Sequence, residues 1–128
     1  MDLSENLAEL NVDRYRKFAK SKNSKRAKQA VYAFQGDVYQ GLEAEALSDE
    51  DISYAQDRLR ILSGLYGILK PLDLIQPYRL EMGIKLKTSG GKSLYDFWVS
   101  DIVNALETEL EHPRNKPLIN LASNEYLK

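Results

Sequence analysis

The sequence is most informative at Leu59-Arg60-Ile61-Leu62-Ser63-Gly64-Leu65-Tyr66-Gly67-Ile68-Leu69-Lys70. A helical pattern ends in leucine and is followed by a small polar residue, two glycines three positions apart, and renewed apolar spacing. This order predicts a helix–hairpin–helix over residues 48–70. The glycines would allow backbone angles closed to other residues and would remove side chains that hold a phosphate away. The free amides of the turn and the start of the second helix would then bind that phosphate.

The DNA-binding site predicted from this motif combines the hairpin with its flanking cations: Arg58, Arg60, Leu62, Ser63, Gly64, Leu65, Tyr66, Gly67 and Lys70. The leucines would anchor the turn, and the cations would supply counter-charge. We therefore expect Gly64→Val to weaken DNA binding without unfolding the protein. The alternative is a glycine-closed corner between two helices that binds nothing. Pro71 disfavours helix at Lys70 and would shorten the second helix to about one turn.

Charge is distributed unevenly along the chain, although the formal net charge is only −1. Residues 11–28 predict a basic helical segment, in which no acid interrupts the cations after Asp13: Arg14, Arg16, Lys17, Lys20, Lys22, Lys25, Arg26 and Lys28. The sign reverses between Glu43 and Asp57. Such blocks often form solvated faces. The functional alternative is that the basic segment extends an electrostatic track for nucleic acid.

The apolar patterns predict an α+β fold with a mixed sheet of few strands flanked by helices. Ser48 with Asp51, and Ser93 with Asp96, predict capped helix starts. Three apolar runs predict strands, the last of them buried on both faces: Val31–Phe34, Leu80–Leu86 and Leu118–Ala122. A further helix should start at Ser123 and be cut short. Residues 1–128 are therefore expected to form one incomplete part of a larger domain.

Composition excludes several functional classes. The chain has no cysteine, which excludes disulfides, iron–sulfur clusters and thiolate zinc sites within it. His112 is its one histidine, so a Ser–His pair, a Cys–His pair and a two-histidine metal site are excluded too. The sequence lacks an apolar run of membrane-spanning length and the layout of a signal peptide. We expect a cytoplasmic protein with no cofactor and no membrane partner.

A second group of polar residues predicts a possible ligand cleft. Asp37 and Tyr39 follow a predicted strand, where catalytic and ligand-binding residues often lie. Arg79 could clamp a phosphate, with Glu81 as the partner that orients it, and Asn124 follows a predicted buried strand. If these residues converge, the chain could be an enzyme acting on a phosphorylated or nucleotide-like ligand. A turn cap, an ion pair and a helix cap explain the same residues without a ligand, and the sequence favours a binding protein over an enzyme.

Three stretches resemble the bacterial YaaA family: Ala33–Leu42, Arg60–Gly83 and Ile119–Tyr126. The resemblance covers nearly the whole chain, although YaaA proteins extend beyond it at both ends and begin with a Ser-Pro-Ala-Lys stretch that it lacks. The resemblance implies a cytosolic protein of hydrogen-peroxide resistance that limits free iron.

The resemblance also implies an unusual α+β fold and DNA binding through a helix–hairpin–helix beside a positively charged cleft. The hairpin falls on Leu62–Gly67, and polypeptide that this chain lacks should form part of the cleft. The partner would be duplex or branched DNA, bound largely without regard to base sequence.

Overall fold

Five helices and four very short strands make up the described fold, in a computed structural model that describes residues 5–18, 25–111 and 117–126. Part of the basic segment (residues 19–24) and His112 lie outside the described residues. In chain order the elements are α1 (Glu5–Arg16), β1 (Lys28–Gln29), α2 (Ala30–Ala33), α3 (Asp37–Leu42), a 3₁₀ turn (Ala44–Ala46), α4 (Asp49–Arg58), β2 (Ile61–Ser63), β3 (Gly67–Leu69), β4 (Leu74–Ile75), α5 (Leu94–Leu110) and a 3₁₀ turn (Asn124–Tyr126). The predicted α+β class is confirmed.

The chain forms two compact units. The first unit contains Met1–Ile61 and Leu69–Arg79, and the second contains Leu62–Ile68 and Leu80–Lys128. The core of the first unit is built from buried apolar residues of several elements: Ala30, Val31, Ala44, Ile52, Ile61, Leu69 and Ile75. Met82 and Leu94 are buried in the second unit. Within the described ranges, no helix combines the length and apolarity needed to cross a membrane.

The two predicted helix starts are confirmed. At α4, the Ser48 hydroxyl accepts a hydrogen bond from the Asp51 amide, and the Asp51 carboxylate accepts one from the Ser48 amide, both at 3.2 Å. The Ser48 hydroxyl also donates to the Asp51 carboxylate at 2.7 Å, and this bond, followed by the one from the Ser48 amide, lowers the pKa of the Asp51 carboxyl. At α5, the Ser93 hydroxyl accepts the Asp96 amide at 3.2 Å. Both caps satisfy amides that a helix start leaves without intrahelical partners.

Ser48→Ala is expected to lower the free energy of unfolding by about 1 kcal/mol, because it removes the acceptor that caps α4. Urea unfolding monitored by circular dichroism measures the loss. Ser53→Ala, at an exposed serine inside the same helix, is the matched control and should be neutral or slightly stabilising. Equal losses in the two variants would contradict the cap.

The predicted helix–hairpin–helix over residues 48–70 is wrong, because one helix is followed by a β-hairpin. Helix α4 ends at Arg58, and Leu59 is extended with φ −85° and ψ 137°. The Arg60 guanidinium donates to the carbonyls of Gln56 at 3.0 Å and Leu59 at 2.6 Å, which satisfies acceptors at the helix end. Strands β2 and β3 then pair, and each alternates buried, half-buried and buried residues. The apolar period is two, as in a strand, rather than 3.6.

The predicted single mixed sheet is also wrong for the described residues, which form two separate two-stranded sheets. One is the β2–β3 hairpin. In the other, β1 and β4 are antiparallel, with Lys28 opposite Ile75 and Gln29 opposite Leu74. The predicted strand at Val31–Phe34 is instead the single helical turn α2, which begins where the Ala30 amide donates to the Asp73 carbonyl at 2.8 Å.

Neither Leu80–Leu86 nor Leu118–Ala122 forms a strand. The second of these runs was expected to be buried on both faces. Instead Leu118, Ile119 and Leu121 are 61%, 73% and 82% exposed. A strand needs a neighbour to satisfy its backbone groups, and the described residues give this run no such neighbour.

Candidate nucleic-acid interface

The turn of the β2–β3 hairpin is closed by its own serine. Ser63 is fully buried, and its hydroxyl accepts the backbone amides of Leu65 at 3.2 Å and Tyr66 at 3.0 Å. A phosphate-binding turn would point these amides toward its ligand. Both already have an intramolecular acceptor, so this turn is not arranged as an open anion nest.

The two glycines of the hairpin allow close packing within the second unit. A Cβ atom at Gly64 would lie 2.6 Å from the backbone oxygen of Leu80, and one at Gly67 would lie 2.6 Å from Cε3 of Trp98. The indole N–H of Trp98 donates to the Gly64 carbonyl at 2.9 Å. The expectation that Gly64→Val leaves the protein folded is therefore wrong, because a valine side chain would collide with the backbone of Leu80. Binding of DNA by Leu62–Gly67 stays a prediction.

The cations that flank the hairpin have different surroundings. Arg60 caps the end of α4, as described above, which is a structural role. The guanidinium carbon of Arg58 lies 3.9 Å from the ring centroid of Tyr54, a cation–π arrangement. The Lys70 side chain is exposed, while its backbone amide donates to the Asp73 carboxylate at 2.8 Å. Arg58 and Lys70 therefore keep their charge at the surface of the first unit.

The described part of the basic segment is also at the surface. Arg16, Lys17, Lys25, Arg26 and Lys28 are exposed, and Arg14 is half-buried. Lys17 Nζ contacts Asp13 Oδ2 at 2.5 Å, and Lys28 Nζ lies 4.0 Å from Glu45 Oε1. The second pair joins exposed side chains at long range, so it neutralises little of the lysine charge.

One short segment contacts the two described parts of the basic segment, residues 11–18 and 25–28, which we call the two basic stretches. The Tyr15 hydroxyl, in the last turns of α1, donates to the Arg79 carbonyl at 3.1 Å, and Lys28 is paired with Ile75. The chain from Ile75 to Arg79 can span at most about 14 Å. We define the basic surface as Arg14, Arg16, Lys25, Arg26, Lys28 and Arg79. Sequence reasoning did not place Arg79 beside the basic segment, because the contact that brings its backbone to α1 crosses 64 residues of chain.

The residues of the predicted enzyme cleft are divided between the two units. Asp37, Tyr39 and Arg79 belong to the first unit, whereas Glu81 and Asn124 belong to the second, so neither unit brings all of them together. Next to Asn124, the Glu125 carboxylate accepts the Gly83 amide at 3.3 Å. Asp37 is exposed at the first position of α3.

Tyr39 lies in an aromatic cluster. Its ring stacks on Phe34 with centroids 5.3 Å apart, and Phe34 meets Tyr78 edge-on at 6.2 Å. Burial, followed by the neighbouring Tyr78, raises the pKa of Tyr39 to about 12. At neutral pH the phenol therefore stays protonated, which fits a packing role better than that of a general base.

The raised pKa of Tyr39 predicts a loss of stability in alkali. Since the folded pKa of about 12 exceeds the ordinary value of 10.0, the contribution is complete below pH 10 and is lost as the pH rises from 10 to 12. Tyr39→Phe removes the ionisable group. It should reduce the fall in unfolding free energy between pH 8 and pH 11 by about 1 kcal/mol, a value discounted because Tyr39 is only half-buried.

Urea unfolding at the two pH values measures the effect, and Tyr54→Phe, at an exposed tyrosine, controls for the loss of a phenol elsewhere. The same pH dependence in the wild-type protein and Tyr39→Phe would contradict the assignment.

Comparison with known proteins identifies the family. The family model described as "Peroxide stress protein YaaA" matches residues 1–128. The chain belongs to the YaaA family. It is 56% identical over 128 residues to a UPF0246 protein of Acaryochloris marina, an alignment that covers 100% of this chain and 50% of that protein. A UPF0246 protein of Aliivibrio fischeri is 53% identical over 128 residues, with 100% and 49% covered. One of Dinoroseobacter shibae is 56% identical over 126 residues, with 98% and 47% covered.

Membership of the YaaA family confirms the resemblance found in the sequence and relates the chain to peroxide stress. The chain spans about half the length of the curated relatives that it matches. The activity and partners of the whole YaaA protein are therefore matters for proposal. Among the described residues, no group of three or more histidine, cysteine, aspartate or glutamate side chains is placed to hold a metal ion.

Proposed function

We propose that this chain is the DNA-binding part of a cytoplasmic peroxide-stress protein, and that the basic surface of the first unit binds the phosphate backbone. The observation that carries the proposal is the contact of both basic stretches with residues 75–79. These contacts bring Tyr15 of α1 and Lys28 of β1, which have cations as chain neighbours, against one short segment. Arg58 and Lys70, exposed in the same unit, add to its positive charge.

The dimensions of the basic surface suit a contact with the phosphate backbone of DNA. Successive phosphates on one strand of B-DNA are separated by about 3.4 Å along the helix axis. A surface organised along a segment of at most about 14 Å would therefore face roughly four phosphates of a strand. Arg and Lys side chains at such a surface contact phosphates and leave the base edges unread. Binding should depend on the shape of the DNA, such as branches and bends, more than on its sequence.

This proposal moves the main DNA contact from the hairpin to the basic surface. The Leu65 and Tyr66 amides, which the helix–hairpin–helix prediction assigned to a phosphate, are bonded to Ser63. We also propose that the whole protein limits free iron. Electron paramagnetic resonance of chelated iron, in peroxide-treated cells with and without the protein, would test this effect.

A salt titration of DNA binding tests the proposal. Fluorescence anisotropy with labelled duplex and branched DNA should give a log–log slope of about −3 to −4 for this chain, since each phosphate contact contributes about −0.9. The full-length Acaryochloris marina relative is the comparison. Binding by that protein alone would assign the site to polypeptide outside this chain. Binding by neither would favour the alternative, an enzyme using Asp37, Tyr39, Arg79 and Glu81.

A further inference from the structure

The second unit contains an apolar cleft. Helix α5 contributes a stripe at helical spacing, formed by Tyr95, Trp98, Val99, Ile102 and Val103. Together with Leu62, Met82, Asp96 and Tyr126 this stripe lines a cleft of about 370 Å³. Such a stripe normally faces a core. Val99 and Val103 are nevertheless 54% and 44% exposed, so this face of α5 is covered only in part.

The same unit exposes an extended apolar run. Leu118, Ile119 and Leu121 are all more than half exposed, with Leu121 reaching 82%. Monomeric soluble proteins rarely expose contiguous apolar patches larger than a few hundred Å². The described residues provide no β-partner for residues 118–121, and an extended backbone without one can pair with an added strand. The apolar stripe of α5 and the run Leu118–Leu121 therefore both resemble surfaces that are normally buried in a protein core.

The relatives indicate what covers this surface. The Acaryochloris marina protein is matched over 50% of its length by the whole of this chain, so it carries about as much polypeptide again outside the match. The relatives from Aliivibrio fischeri and Dinoroseobacter shibae are matched over 49% and 47%. This additional polypeptide could cover the apolar surface within one chain, whereas a second copy of the chain is the alternative occupant that the experiment distinguishes.

We propose that the α5 stripe and Leu118–Leu121 form the docking surface for the part of full-length YaaA-family proteins that lies outside the matched region. A strand of that part pairs with the backbone of Leu118–Leu121, and other apolar side chains of that part cover the faces of the run. Coverage of the cleft completes the core of the second unit. This inference is independent of DNA binding, because every residue that carries it lies outside the basic surface.

Thiol labelling tests the docking surface. The chain has no cysteine, so a single introduced thiol reports on one position. Ile119→Cys and Val38→Cys form a matched pair, because both native side chains are 73% exposed and Val38 lies in the first unit. Each variant is prepared in this chain alone and in a fusion that adds both flanking segments of the Acaryochloris marina relative (the added half), with any cysteine of those segments replaced by serine. Alkylation of Ile119→Cys should be at least tenfold slower in the fusion, and alkylation of Val38→Cys should be unchanged.

Two outcomes would overturn the inference. Equal alkylation rates of Ile119→Cys with and without the added half would show that this half does not cover the run. Protection of Ile119→Cys that rises with the concentration of the chain alone, together with a dimer in sedimentation, would identify a second copy as the occupant. Hydrogen exchange of residues 118–121 in the unsubstituted chain repeats the test without any mutation, and slower exchange is expected only with the added half.

Discussion

Gly67→Ala is expected to lower the free energy of unfolding by about 2–5 kcal/mol, a large loss for the addition of one methyl group. Gly67 has φ +75°, which costs other residues about 1–2 kcal/mol. The added methyl would also lie 2.6 Å from Cε3 of Trp98, and overpacking of this kind costs about 1–3 kcal/mol. Both terms act in the same direction.

Gly41→Ala is the matched control for this prediction. Gly41 lies in α3 with a negative φ and nothing within 4 Å of its added Cβ. Alanine there should stabilise the protein by about 0.5–1 kcal/mol. Urea unfolding measures both variants, and Trp98 fluorescence adds a local signal because it is the single tryptophan. Similar unfolding free energies for the two variants would contradict the assigned packing of the hairpin.

Reversal of two charges on the basic surface should have the largest effect on function. Arg16→Glu combined with Lys25→Glu changes one cation in each basic stretch. If each of the two native cations contacts a phosphate, the double substitution should weaken DNA binding about a hundredfold near 0.1 M salt. It should also make the slope of log affinity against log salt shallower by about 2. Fluorescence anisotropy with a labelled duplex provides both quantities.

The control for this variant has the same change in net charge. Lys85 and Lys87 are exposed in the second unit, and Lys85→Glu combined with Lys87→Glu should change affinity by less than about threefold, as expected for charges that act only at long range. An equal loss of DNA affinity in both variants would mean that binding depends on the net charge of the chain rather than on the basic surface.

Features encoded by neighbouring residues could be predicted from the sequence. The caps at Ser48 and Ser93 each depend on residues three positions apart, so the start of α4 and most of α5 follow from short-range rules. The family could be predicted for a different reason, because long stretches such as Arg60–Gly83 match a known pattern almost continuously. Neither kind of information specifies which distant segments meet.

Features that depend on distant contacts could not be predicted. Two glycines after a helix suggested a phosphate-binding turn, but their spacing does not show that Gly64 packs against Leu80 or Gly67 against Trp98. The place of Arg79 in the basic surface likewise depends on its contact with Tyr15. Leu118–Ala122 was interpreted as a buried strand because its composition is that of a core. Composition does not show which polypeptide covers it.

A lysine footprint tests the central claim most directly. The chain is acetylated with and without duplex DNA, and modification of each lysine is measured by mass spectrometry. Since a lysine that contacts phosphate is shielded from reagent, we predict strong protection of Lys25 and Lys28, with Lys85 and Lys87 unchanged. Protection of Lys85 and Lys87 with Lys25 and Lys28 unaffected would contradict the proposed surface.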